Sequence, residues 1–248
     1  ARIGRRHALG VSSGTAALQV ALAALGVGPG DEVLLPGYFW VSTVGAVVRS
    51  GAVPVLVDSD DSWSMDPDKL EARITPRTKV VLTVHMGGVI GRVRELVAVA
   101  RKHGLKVLED CAQAVGAAQF GTAAGAFGDI AIYSLQLNKH ITAGEGGILV
   151  TDDETLYRRA FAVHDLGYPR NADGRLAFDD PSMQLWGIGA RMSELTAAFA
   201  RVQLRKLDGI CTAMRAAKHR LVHALGAFPA VTPQRVIDPT GDAGSFLL

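Results

Sequence analysis

An α/β fold with a mostly parallel central sheet, covered by helices on both faces, is predicted by two observations along the 248 residues. Short apolar runs closed by turn residues alternate with stretches of helical period, the pattern of βαβ units. The runs are also near-continuously apolar, not alternating, as strands buried on both faces are.

The elements follow in order. Thr15 to Gly26, TAALQVALAALG, places apolar residues at helical spacing after Ser12-Ser13-Gly14 and stops at glycine. DEVLLPG (31–37) and AVPVLVD (52–58) are buried strands. DPDKLEARI (66–74) is expected to be a helix with acidic residues in its first turn. TKVVLTVHM (78–86) is a strand, RVRELVAVARKHG (92–104) a helix with a glycine stop, and LKVLEDCAQ (105–113) and DIAIYSL (129–135) are strands. DETLYRRAFAVHDLG (153–167) returns to helix. From Tyr168 to Ser182 the pattern dissolves into a polar loop, and one long helix is expected over 192–228. The N-terminal ARIGRRHALG is basic and leads into a glycine-rich loop.

The composition narrows the function classes. With 48% hydrophobic and 20% charged residues and a formal net charge of +2, the chain has material for a sizeable core and no basic concentration suited to nucleic acid or an anionic membrane. No apolar run reaches the roughly 18 residues of a membrane helix. Cys111 and Cys211 lie far apart with no metal-type spacing, which favours free thiols and a reducing, cytoplasmic setting.

In open α/β sheets ligands bind beyond the carboxyl ends of the strands. The residues at those ends are Ser12 to Thr15, Pro36 to Trp40, Asp58, His85, Asp110 to Gln113 and Ser134 to Lys139. SSGTAAL opens a helix with hydroxyls and glycine, which makes either an anion site suited to phosphate or a plain N-cap. Asp110 follows the apolar run KVL, and a carboxylate there needs a cation, which a protonated ring nitrogen or an arginine would supply. Trp40 suits either a ring-stacking plate or the core, and His85 is more simply a structural histidine. Lys139 stands among Ser134, Gln136, Asn138 and His140 just before TAGEGG. A lysine becomes a nucleophile when burial or nearby charge lowers its pKa. Phosphate cup, aromatic plate, carboxylate and lysine together describe a pocket for pyridoxal phosphate.

The segments SSGTAALQVAL, GDEVLLPGYFWVSTVGAV, VHMGG, EDCAQAVGA, SLQLNKHITAGEGG and RMSELTAAFARVQLRKLD resemble, in the same order, the DegT/DnrJ/EryC1/StrS aminotransferases. That resemblance implies a fold-type I pyridoxal 5'-phosphate enzyme. It implies an amino group moved from L-glutamate or L-glutamine to a keto-sugar, keto-cyclitol or related carbonyl acceptor, with active sites shared in a homodimer. By position, Lys139 resembles the lysine that joins the cofactor, Asp110 the carboxylate on the pyridine nitrogen and Gln113 the residue beside the ring 3-hydroxyl. Trp40 resembles the stacking aromatic, and Gly14, Thr15 and Ser134 the phosphate contacts. The large domain is expected over 1–207 and the start of a smaller C-terminal domain over 208–248, with the family's N-terminal segment and most of that small domain outside these residues. Two positions depart from the pattern: Gly189 stands where an asparagine usually reaches the neighbouring subunit's phosphate, and VIGRVREL lacks the common aspartate. Related outcomes within the family are an aminobenzoate synthase and a sugar dehydratase, the latter with histidine for lysine. A non-catalytic partner or regulator is the alternative of another class.

Overall fold

The computed structural model describes residues 2–171 and 173–248. Ala1 of the basic N-terminal stretch and Ala172 of the expected polar loop lie outside them. The first half of the chain carries β1 (His7–Val11), α1 (Gly14–Ala24), β2 (Glu32–Pro36), α2 (Val41–Arg49), β3 (Val53–Val57), α3 (Pro67–Leu70), β4 (Thr78–Val84) and α4 (Val93–Lys102). Then come β5 (Lys106–Asp110), the two-residue strands β6 (Ala118–Gln119) and β7 (Thr122–Ala123), β8 (Ile130–Ser134), β9 (Gly147–Thr151), α5 (Glu154–His164), α6 (Glu194–Leu204) and α7 (Leu207–Leu225).

Seven strands form one sheet in the order β1-β9-β8-β5-β4-β2-β3. β8, β5, β4, β2 and β3 run parallel, while β9 is antiparallel to both β8 and β1. The β6–β7 ribbon stands apart. Side-chain alternation splits the core into two layers. Val33, Leu35, Leu82, Leu108 and Ile132 pack with α1, α2 and α5, and Leu34, Val81, Val107, Ala131 and Tyr133 pack with α4 and the start of α7. The mostly parallel, two-sided α/β class therefore stands as predicted. Among the described residues, no helix is long and apolar enough to cross a membrane.

Several local expectations change. The basic N-terminal stretch, for which the sequence predicts no element, ends in β1, held by its ladder to β9. DPDKLEARI forms only four residues of α-helix from an Asp66 N-cap, followed by a 3-10 turn over Glu71–Arg73. The single long helix over 192–228 is two helices, broken at Arg205 and Lys206. The break separates two environments: α6 buries none of its residues, whereas α7 begins by burying Leu207 and then Cys211 against the sheet layer. After α7 the chain folds back without regular structure, anchored by Ala243 N–H to Gly88 O at 3.2 Å and by a buried Lys218–Asp242 ion pair at 2.8 Å.

Candidate active site

A cavity of about 670 Å³ opens at the carboxyl ends of β4, β5 and β8. All seven residues singled out from the sequence line it: Gly14, Thr15, Trp40, Asp110, Gln113, Ser134 and Lys139. His85 and Asp58, two other strand-end candidates, do not. His85 is a core residue whose Nε2 pairs with Glu109 Oε2 at 2.9 Å. Glu109 also accepts the N–H groups of Gly125, Phe127 and Gly128. Burial works against its charge, but these partners outweigh it and keep the carboxyl below the ordinary range.

One wall is the N-terminus of α1. The Ser13 hydroxyl caps it by accepting from Ala16 N at 3.0 Å, and helix geometry leaves the N–H groups of Gly14 and Thr15 without intrahelical partners. Two glycines allow the wall to close. A Cβ on Gly14 would sit 2.8 Å from Ser134 Cβ, and one on Gly147 would sit 2.3 Å from Ser13 O. Helix end, β8 end and β9 start thus lie in close contact, with the Ser134 side chain against Gly14. Such a corner suits an anion.

The opposite wall is carboxylate and amide. Asp110 closes β5, fully buried, with Oδ2 accepting from Thr43 Oγ1 at 2.9 Å and Oδ1 from Ala112 N at 3.0 Å. Burial raises its pKa, against those two donors and the charge of Lys139. The Gln113 Oε1 accepts from Gly87 N at 2.9 Å, which leaves its NH2 as the amide's free donor at the cavity. Trp40 stands at the N-cap of α2, 61% exposed, as a plate over the opening.

Lys139 lies in the loop between the antiparallel strands β8 and β9, half-buried. Burial lowers its pKa, and the charge of Asp110 partly offsets this. No hydrogen bond holds its Nζ among the described residues. Its neighbour His140 is turned away, with Nε2 3.1 Å from both Ala243 O and Ser245 Oγ. The amine at the cavity is thus Lys139, and the neighbouring imidazole of His140 points elsewhere.

Sequence reading missed the lining residues Ser42, Glu145 and Phe246, and gave Gln136 and Asn138, which it placed beside Lys139, no role of their own. Gln136 and Asn138 are polar loop residues with no signal beyond their nearness to Lys139. Phe246 arrives from the C-terminal segment, which strand-end reasoning does not reach. Thr43 was missed as well, although it touches Asp110 directly. Gly189 lies at the surface, bridged by backbone to Asp165, where a side chain would meet only Leu166 at an ordinary 3.7 Å.

Comparison with known proteins agrees with this geometry. An L-glutamine:2-deoxy-scyllo-inosose aminotransferase from Streptomyces kanamyceticus is 41% identical over 240 residues, covering 92% of this chain and 54% of that protein. The solved 3-amino-5-hydroxybenzoic acid synthase superposes with a TM-score of 0.87 at 38% identity, over 98% of this chain and 62% of that one. NtdA from Bacillus subtilis, solved with bound cofactor PMP, superposes with a TM-score of 0.85 at 27% identity, over 99% of this chain and 55% of that one. The chain therefore spans a little over half the length of the relatives it matches. The profile of the DegT/DnrJ/EryC1/StrS aminotransferase family matches residues 1–247, and the chain belongs to that family, whose members depend on pyridoxal phosphate.

Proposed function

We propose that this chain carries the cofactor-binding part of a pyridoxal 5'-phosphate-dependent aminotransferase. It would act on a ketone of a sugar or cyclitol with L-glutamine or L-glutamate as amino donor. The observation that carries this reading is the cavity itself, where an unpaired half-buried amine, a fully buried carboxylate and an open helix N-terminus share one space.

The residues fit the cofactor group by group. The N–H groups of Gly14 and Thr15 and the Ser134 hydroxyl would take the phosphate, and Trp40 would cover the ring. Asp110 would face the ring nitrogen and Gln113 NH2 the ring oxygen. When bound, pyridoxal phosphate supplies an aldehyde that receives the amino group and a ring that draws electrons from the reacting carbon. Lys139 brings an amine whose lowered pKa leaves more of it neutral and nucleophilic. The same Nζ, when free, takes a proton from the reacting carbon and returns it on the other side of the transfer. Asp110, oriented by two donors in a buried site, would stand opposite a protonated ring nitrogen, whose charge would favour its anion against the burial that opposes it. Trp40 shields the space from water.

Several finer expectations belong to the same reading. Family sites lie between subunits, and a homodimer is supported here by the uncovered apolar residues Trp186, Leu195, Phe199 and Val202 on and beside α6. Residues 1–207 act as the large domain and 208–248 begin the smaller one. Two free, buried cysteines suit a cytoplasmic setting. The aminotransferases for 2-deoxy-scyllo-inosose support a cyclitol acceptor, while GDP-perosamine synthase from Caulobacter vibrioides, 40% identical, supports a sugar one.

The test is an absorbance spectrum on adding pyridoxal phosphate, then borohydride reduction and peptide mapping. A reducible visible band with the adduct on Lys139, bleached by L-glutamine or L-glutamate, is the expected result. No band, or an adduct on another lysine, would overturn the assignment.

A further inference from the structure

Asp110 is buried deeply enough that its charge has to be maintained by donors, and the structure supplies two. One, Ala112 N–H, is backbone and belongs to any residue at that position. The other is the hydroxyl of Thr43, which is fully buried in the first turn of α2. A threonine inside a helix ordinarily turns its hydroxyl to water or back to the carbonyl four residues earlier. Thr43 does neither, and its Oγ1 donates across to Asp110 Oδ2 at 2.9 Å. Its backbone N–H meanwhile donates to Trp40 O at 2.9 Å. One residue therefore ties the cavity's carboxylate to the backbone of its aromatic plate.

We infer that Thr43 is a positioning residue: its hydroxyl holds Asp110 charged and oriented toward the cavity, and its backbone sets Trp40 over the same space. The inference rests on the cofactor reading for its consequence, and on the Thr43–Asp110 contact alone for its physics. A hydrogen bond to a carboxylate is stronger than one between neutral groups, and it favours the ionised form. Losing it leaves one buried oxygen without a donor, which favours protonation and weakens any cation placed opposite.

The experiment uses Thr43→Val, which keeps the shape and removes the hydroxyl, with Thr43→Ser as the variant that restores it. Each is made in the parent chain and with Asp110→Asn. The first measurement needs no cofactor: the melting temperature of the unloaded chain against pH. The deficit of Thr43→Val relative to the parent should be largest at pH values where Asp110 is ionised. It should shrink as acid protonates Asp110, and lose its pH dependence in the Asp110→Asn background. The second is the dissociation constant for pyridoxal phosphate, which should rise roughly tenfold in Thr43→Val, the equivalent of one charged hydrogen bond, and return toward the parent value in Thr43→Ser. A deficit equal at all pH values, or one that survives undiminished beside Asp110→Asn, would show that Thr43 only packs, and would overturn the inference. A pH-dependent deficit in a parent chain that takes up no pyridoxal phosphate would support the Thr43–Asp110 tie and overturn the cofactor reading instead.

Discussion

The cavity and the α6 surface leave opposite kinds of group unsatisfied. In the cavity the free groups are polar: the Lys139 amine, the Gln113 NH2 and the N–H groups of Gly14 and Thr15. Around α6 they are apolar, with Leu195 at 85% exposure, Phe199 and Val202 about half exposed, and Trp186 standing free. Unsatisfied polar groups in a concave, half-buried space call for a small polar ligand that brings acceptors and charge. Unsatisfied apolar groups on a convex helix call for another protein surface. The two regions therefore point to two different occupants, and variants in one should leave the other intact.

The largest effect is expected at Lys139. Lys139→Ala should abolish the reducible adduct and lower transfer activity by about a thousandfold or more, as losing a covalent nucleophile does. The melting temperature and the oligomeric state should hold, because the side chain has no partner to lose. A variant that kept the adduct would break the cavity side of the comparison.

Gly147→Ala comes next. Its Cβ would overlap the Ser13 carbonyl at 2.3 Å, a contact with backbone that only a shift of α1 or β9 relieves. Destabilisation of about 2–3 kcal/mol is expected in urea unfolding, with weaker cofactor uptake because the anion corner opens. Unchanged stability would mean that the corner has room for a methyl group and is not closed by these glycines.

Phe199→Glu tests the other region. A charge on the α6 face should weaken self-association by at least tenfold in sedimentation, while the monomer's melting temperature moves little. If association is unaffected, this face is not where copies meet.

The smallest effect is a matter of pH. The neutral fraction of Lys139 grows about tenfold per pH unit until its own pKa is reached, and is flat above it. Because burial lowers that pKa, the rate of adduct formation should level off below the ordinary lysine range. A rate still climbing through that range would mean that the loop leaves the amine in water.

Much of the cavity was legible in the sequence because strand ends are. A run such as KVLED marks where a buried strand stops, and topology then brings Asp110, Ser134 and the start of α1 to one edge. Thr43 was not legible, since VSTVGAVV offers two neighbouring hydroxyls and only the third dimension shows which of them turns inward. The break between α6 and α7 was equally hidden. Neither proline nor glycine marks Arg205-Lys206, where the chain passes from α6, which sets only the partly buried Ala200 and Leu204 against the core, to α7, which buries Leu207 and Cys211 there. β1 and β9 escaped notice for a related reason: each is half of an antiparallel pairing at the sheet margin, outside the βαβ rhythm.

That margin also orders events in time. β1 is the first of these strands to be synthesised, and among the described residues its one neighbour in the sheet is β9, the last. A ladder between such distant partners closes a long loop, and loops of that length close late because chain entropy opposes them. The N-terminus of α1 lies against Ser134 and Gly147, so the anion corner does not exist until β9 has docked. Whatever binds there acts on a chain that has already folded. It can hold the finished sheet closed against unfolding, but it cannot guide the sheet's assembly.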